Sequence, residues 1–283
     1  MEAGRHYYSE GMRRAGPPQR GAVRSWFLVI QRPQMSLRLE AYGDVIRLRM
    51  QSLGSRAVGL DVSAYVMRGV MIDSGFHRVR RALVEAAAAS GVRALVVTHW
   101  HEDHAGNVNA LAARGLPIFM RAETEATLRA RPYIQLYRRV VWGYGPALAH
   151  PAYAPAHGPA GFQCIHTPGH STDHQVVWDG ETGTVFSGDL WLGVRSRVLH
   201  ASEDPYLILQ SLRTIRALSP DRMFDAHRGS ILRPGDAIDA KIQWLGDTLQ
   251  TVARRVSDGW SDRAIVQQVL GGEELAAFVS RGD

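Results

Sequence analysis

Residues 98–107 read THWHEDHAGN, and His99, His101, Glu102, Asp103 and His104 all fall within six consecutive positions. Ligand-type side chains at this density constrain the fold, because the backbone has to turn several of them toward a common point. The preceding run 93–98, RALVVT, reads as a buried strand. A strand ending at Thr98 sends His99 and His101 to one side and Trp100 away into packing, since side chains alternate. A helix is expected to open at His104 and run to 113, placing Asp103 and His104 at its first turn, where they address a second point close to the first. Two metal sites then fit within one hexapeptide. Neighbouring patterns match less well: a zincin needs His-Glu-x-x-His on one helix. A zinc deaminase needs a paired-cysteine partner, and Cys164 is the only cysteine.

A chain of 283 residues with 45% hydrophobic content buries one large core, or one core and an appendage. That excludes disordered and fibrous classes. The lone cysteine excludes an internal disulfide framework and an all-cysteine zinc knuckle, so a metal here must be held by histidine and carboxylate; a cytoplasmic location is expected. The early apolar run at 26–30 is short for a signal-peptide core and leads into Gln31, Arg32 and Pro33, and no segment approaches a membrane span. The net charge of +6 is unevenly spread: residues 1–34 carry six arginines against Glu2 and Glu10. Lys241 is the sole lysine. This bias toward arginine reads as coding composition rather than a face built for nucleic acid.

Residues 1–34, rich in Gly, Pro and Arg, read as a flexible or mis-started extension; 35–235 as the catalytic domain; and 236–283 as a small helical C-terminal appendage. Within the body, β-rich runs are expected at 37–50 and 57–72, a helix at 77–90, a strand at 117–120, and a helical aromatic stretch at 121–144. A Pro-rich loop at 145–161 precedes a strand at 162–166. A hairpin at 175–187 turns at Asp179-Gly180-Glu181-Thr182-Gly183, followed by a helix at 204–218, a strand at 222–226, and helices near 236–256, 262–270 and 273–280. Ser261 is the expected N-cap of the helix at 262–270.

Further ligand-type residues close other strands: HTPGHSTDH at 166–174, SGD at 187–189 and DAHRG at 225–229. With Asp73 in MIDSG, the ordered series MIDSG, HWHEDH, TPGH, SGD and DAH resembles the metallo-β-lactamase superfamily over residues 37 to 235. The details look most like the glyoxalase II and β-lactamase-like protein 2 groups. The resemblance implies a mixed α/β, four-layer αβ/βα sandwich. It implies His99, His101 and His170 as ligands of a first zinc ion, and Asp103, His104 and His227 as ligands of a second. Asp189 would bridge the two, and Asp73 would orient the ligand loop from behind. Iron or manganese in one site is admissible.

Such a pair of ions, about 3.5 to 4 Å apart, brings bound water toward a pKa of about 7. The implied activity is therefore dinuclear zinc hydrolysis by a bridging hydroxide, with Asp103 also holding the nucleophile's proton. A small-molecule acyl compound (thioester, lactone or related ester) is the expected substrate. The alternatives are RNA phosphodiester cleavage, β-lactam hydrolysis as a side activity, and a non-catalytic metal-binding scaffold. Asp at position 189, where cysteine-ligand β-lactamases carry Cys, argues against antibiotic hydrolysis as the main task. The sequence leaves the oligomeric state undecided.

His174, four residues after His170, is a candidate proton-transfer group, with an ordinary strand-start histidine as the competing reading. The stretch 131–145, RPYIQLYRRVVWGYG, reads first as an amphipathic helix packing its aromatics on the body, and second as a substrate lip that stacks a base. His150 and His157 read as solvated, His166 as a sheet residue that is not a ligand, and Cys164 as inert core.

Overall fold

A computed structural model of the protein describes residues 29–32, 35–57, 61–150, 158–195 and 202–269. The expected helix at 273–280, His157 and most of the 1–34 extension lie outside the described residues.

Among the described residues, twelve strands form two sheets. The first runs β1 (Val29–Arg32), β2 (Met35–Tyr42), β3 (Val45–Ser52), β4 (Val62–Met67), β5 (Val70–Ile72), β6 (Ala94–Val96) and β7 (Ile118–Phe119), in that spatial order. The second is ordered β12 (Gly229–Ile231), β11 (Arg222–Asp225), β10 (Thr184–Phe186), β9 (Gln175–Asp179) and β8 (Gln163–His166). The β-rich runs expected at 37–50 and 57–72 each hold a hairpin: β2 pairs β3 across Gly43-Asp44, and β4 pairs β5 across Arg68-Gly69. The β9–β10 hairpin turns where the Asp-Gly-Glu-Thr-Gly signal places it, with Asp179 opposite Thr184.

Between β5 and β6 lie a short 3-10 turn at His77–Val79 and helix α2 (Arg80–Ala89), which buries Leu83, Val84, Ala86 and Ala87. Helix α1 (Leu53–Ala57) follows β3. The helix expected from His104 begins later: residues 102–107 are turns, and α3 spans only Val108–Ala112. The stretch 121–144 divides into α4 (Ala122–Ala130) and α5 (Leu136–Val141). Helix α6 (Pro205–Ala217) opens with Asp204, whose carboxylate accepts from the Tyr206 and Leu207 N–H groups, and with Pro205 where no N–H is needed. Then come α7 (Pro234–Ser257) and α8 (Asp262–Val269), where Ser261 Oγ caps the Ala264 N–H as expected.

Three clusters of buried residues define four layers. Leu48, Met71, Leu83, Leu95 and Leu111 fill the space between the first sheet and α2 and α3. Val185, Leu212, Ile215, Ile238 and Leu245 do the same between the second sheet and α6 and α7, so the first turns of α7 belong to the core. Tyr65, Val96, Val177, Phe186 and Phe224 lie between the sheets. The result is helix, sheet, sheet, helix, and the carboxyl ends of β6 and β10 open onto one edge of the sandwich. No helix among the described residues is long and apolar enough to cross a membrane.

Candidate metal centre

Two groups of donor atoms meet at that edge. His99, His101, His170 and Asp189 form one, and Asp103, His104 and His227 the other, with the donor atoms of each group within 4.8 Å of one another. His99 Nε2 and His170 Nε2 lie 2.9 and 3.0 Å from His101 Nδ1. Asp189 stands between the groups: its Oδ2 is 3.3 Å from His170 Nε2, while its Oδ1 is 3.3 Å from both His104 Nε2 and His227 Nε2. Asp103 Oδ2 closes the second group at 3.5 Å from His227 Nε2. All seven side chains named from the sequence are thus brought together.

The rings are aimed from behind. His99 Nδ1 meets Thr98 Oγ1 at 3.0 Å, His170 Nδ1 meets Glu203 Oε1 at 2.5 Å, His104 Nδ1 meets Asp73 Oδ2 at 2.8 Å, and His227 Nδ1 meets the Asp61 carbonyl at 2.6 Å. In each ring the other nitrogen faces inward. Asp73, itself at φ 61°, also accepts from the Thr98 N–H and hydroxyl, and so ties the end of β6 to His104.

Asp173 fastens the HWHEDH loop to the TPGH loop, accepting from the Trp100 N–H at 2.9 Å, Thr124 Oγ1 at 2.8 Å and Ser171 Oγ at 2.6 Å. Asp225, fully buried, accepts from the His227, Arg228 and Leu192 N–H groups and holds the two loops of the second sheet. Glu203, Asp173 and Asp225 escape sequence reading, although Asp173 and Asp225 sit inside motifs already in view. Two glycines are obligatory: a Cβ on Gly169 (φ 134°) would fall 2.4 Å from Ile208 N, and one on Gly188 (φ 51°) 2.7 Å from His174 Nε2.

The electrostatics favour a cation. Burial, with the crowding of neighbouring imidazoles, holds His99 and His101 well below the usual histidine range. Burial acts the same way on His104, but Asp189, Asp103 and Asp73 outweigh it and raise that ring well above the range; His227 likewise reaches about 9 against its burial, through Asp189 and Asp103. Burial raises the Asp189 carboxyl, and His104 and His227 more than reverse it. His104 Nε2 and Asp189 Oδ1 are buried without a hydrogen bond. Inward lone pairs, close nitrogen contacts and orphaned acceptors are what a metal centre requires, and these residues fit one.

His174 is also at the centre, in another capacity. Its Nε2 accepts from the Asp189 N–H at 3.1 Å, its Nδ1 lies 3.1 Å from the Thr167 carbonyl, and burial lowers it to about 3. With both nitrogens engaged it positions Asp189, and of the two candidate readings the proton-transfer one has no free ring nitrogen to work through. His166 is exposed and bonds the Thr172 carbonyl, away from the donor clusters. Cys164 is half-buried, and burial pushes its thiol up to about 12, which disfavours the thiolate.

The stretch 131–145 departs from its expected packing. Trp142 is buried against Phe76, and the Tyr144 hydroxyl donates to the Pro132 carbonyl, but α5 buries none of its residues. The same helix brings Arg138 onto Glu102 in a two-pronged pair of 2.7 and 2.6 Å, with the guanidinium 5.8 Å from the Trp100 ring centroid. Trp100 is therefore half-buried at the rim of the centre, not in the core.

A family model described as the metallo-β-lactamase superfamily matches residues 57–227, and the chain belongs to that superfamily of metal-dependent hydrolases. Among individual proteins, it is 29% identical over 216 residues to a β-lactamase-like protein 2 homolog of Drosophila melanogaster, covering 69% of this chain and 70% of that one. It is 28% identical over 195 residues to an atrochrysone carboxyl ACP thioesterase of Aspergillus fumigatus, covering 66% of this chain; the match spans about half, 54%, of that protein. A metallo-β-lactamase of Erythrobacter litoralis superposes with a TM-score of 0.59 at 18% identity, over 77% of this chain and 99% of that one, a likeness of fold.

Proposed function

We propose that this protein is a dinuclear zinc hydrolase of activated acyl compounds, thioesters foremost. The observation that carries the reading is the carboxylate of Asp189 between two donor clusters, one oxygen facing each. His99, His101 and His170 would hold one ion and Asp103, His104 and His227 the other. A donor set rich in imidazole suits zinc over magnesium or calcium. When bound, such a pair supplies Lewis acidity and lowers the pKa of water at the site toward about 7. Asp103 has the role of proton carrier: its carboxylate takes the proton as water adds to the acyl carbon and returns it to the leaving thiolate. His174, locked by Thr167, keeps the Asp189 backbone in register. Trp100 and the Arg138–Glu102 pair wall one side and limit water entry. The single cysteine fits a reducing, cytoplasmic setting.

Support for an acyl substrate comes from the relative named as an ACP thioesterase, and Asp at position 189 argues against β-lactam hydrolysis as the main task. RNA phosphodiester cleavage is the second reading, favoured by the exposed Arg131, which lines a cleft with Trp100 and Glu102. The test is a parallel assay of the zinc-loaded protein, with elemental analysis, on thioesters, lactones, a β-lactam and a short single-stranded RNA. Thioester turnover should exceed the rest. RNA cleavage without acyl hydrolysis, or two sites that refuse zinc, would overturn the reading.

A further inference from the structure

The face of α5 that turns away from the body has no use in the chemistry above. Leu136 and Val140, one helical turn apart, are 67% and 63% exposed, Tyr133 just before them is 81% exposed, and Leu53 on α1 is 55% exposed. Helix α1 packs beside α5, with Gly54 against Val141. Large aliphatic side chains raised together into water mark a contact surface.

Charge says what kind. The segments 53–57, 77–82 and 131–145 contain no Asp or Glu. Arg138 is matched by Glu102 and Arg81 by Glu85, but Arg56, Arg78 and Arg139 are exposed with no acidic partner among the described residues. Arg78 Nη2 donates to the Arg139 carbonyl at 3.4 Å, which joins the two elements. Arg138 reaches Glu102, between His101 and Asp103, so this face adjoins the centre.

We propose that the exposed face of α5, together with α1 and the turn at Arg78, is the docking surface for an acidic acyl-carrier protein that presents its thioester to the metal centre. This rests on the acyl reading above and names the bearer of the acyl group. The complement of aliphatic knobs ringed by guanidinium groups is an acidic helix with a small apolar patch. A nucleic acid would ask instead for free stacking rings. Here Trp142 is buried and Tyr144 lies 4.7 Å under the Arg131 guanidinium, which leaves Tyr133 as the one strongly exposed ring of the stretch. In the reaction served, the carbon–sulfur bond breaks, water oxygen joins the acyl carbon, and the carrier's prosthetic thiol keeps a proton.

The test compares octanoyl-carrier protein with octanoyl-pantetheine on the zinc-loaded enzyme, wild type and the double variant Arg78→Glu/Arg139→Glu, with circular dichroism and metal content to verify folding. The carrier thioester should be favoured in kcat/KM by about tenfold or more at low salt, and that preference should fall with salt, as steered association does. Charge reversal should remove the preference and leave the pantetheine thioester within about twofold, since these arginines guide encounter rather than chemistry. Titration of unloaded carrier protein gives binding without turnover. No binding, or equal loss on both thioesters, overturns the docking surface. Hydrolysis of octanoyl-pantetheine in that event leaves the acyl reading standing. If charge reversal abolishes binding of single-stranded RNA while carrier protein never binds, the face belongs to RNA.

Discussion

Asp103 and Asp189 are both carboxylates at the centre, yet their settings differ. Asp189 has one oxygen on each donor cluster and its N–H fixed by His174. Asp103 touches the second cluster only. Asp103→Asn should therefore keep part of the metal and lower kcat/KM by about 10² to 10⁴-fold, the span of a proton-transfer group; steady-state kinetics with metal analysis checks it, and undiminished turnover would end the assignment. Glu203 bonds His170 Nδ1 and would act on a bound metal through that ring. Removing a carboxylate behind a ligating imidazole weakens metal by about 10 to 100-fold, with Glu203→Gln at the mild end and Glu203→Ala at the severe end; chelator competition measures it. At this scale the sequence was legible where ligands sit in short motifs. It was silent on Glu203, which lies 33 positions from His170 and carries no motif, and on the rear contacts of His174, which depend on Thr167 across a turn.

Elements were legible where the signal was periodic or capped, as in α6 and α8, and less so where backbone conformation is set by distant groups. The helix expected at His104 starts at Val108 because residues 102–107 are held as turns from outside. The Asn107 amide donates to the Ser74 and Phe76 carbonyls, and a Cβ on Gly106 would meet His77 N at 2.6 Å and Gly75 O at 2.7 Å. The β4–β5 turn hid because Arg68, at φ 49°, is not a turn residue by type. Its side chain explains its place: Arg68 crosses to the second sheet and pairs with the buried Asp179 at 2.7 Å, while Thr182 also donates to that carboxylate. Burial raises the Asp179 carboxyl, but the Thr182 and Arg68 hydrogen bonds outweigh it and hold it below the usual range. A lowered carboxyl gives stability that is present above its ordinary pKa and lost as pH falls through the folded value. Asp179→Asn should thus cost about 1 to 3 kcal/mol at pH 7. In urea denaturation across a pH series the gap from wild type should close on the acid side of the ordinary carboxylate pKa; a gap independent of pH would assign the loss to packing.

On the scale of the whole molecule, the order of the motifs made the architecture readable, since the motifs stand at strand ends and the ends must meet. The exposed face of α5 was not readable, because a helix of mixed aliphatic and basic residues looks alike whether it packs inward or waits for a partner. The meeting of strand ends also has a thermodynamic side. The loop after β6, from the first sheet, supplies His99, His101, Asp103 and His104, while loops of the second sheet supply His170, Asp189 and His227. The same two sheets are also joined by the Arg68–Asp179 pair and by apolar contacts such as Tyr65 with Phe186 and Phe224, at ring separations of 5.4 and 5.3 Å. A cation held by both halves binds the folded chain and has no comparable site in the unfolded one, where the ligands scatter. Linkage then requires metal to stabilise the fold, by about 2.7 kcal/mol at a hundredfold excess over Kd, which is roughly 5 to 10 °C in Tm for a chain of this size. Stripping the metal with a chelator should lower Tm by that order, and added zinc should restore it in a concentration-dependent way. Asp189→Ala should shrink the response sharply, since its carboxylate serves both clusters. A melting temperature indifferent to chelation and to zinc would mean that the seven side chains do not hold metal across the two sheets.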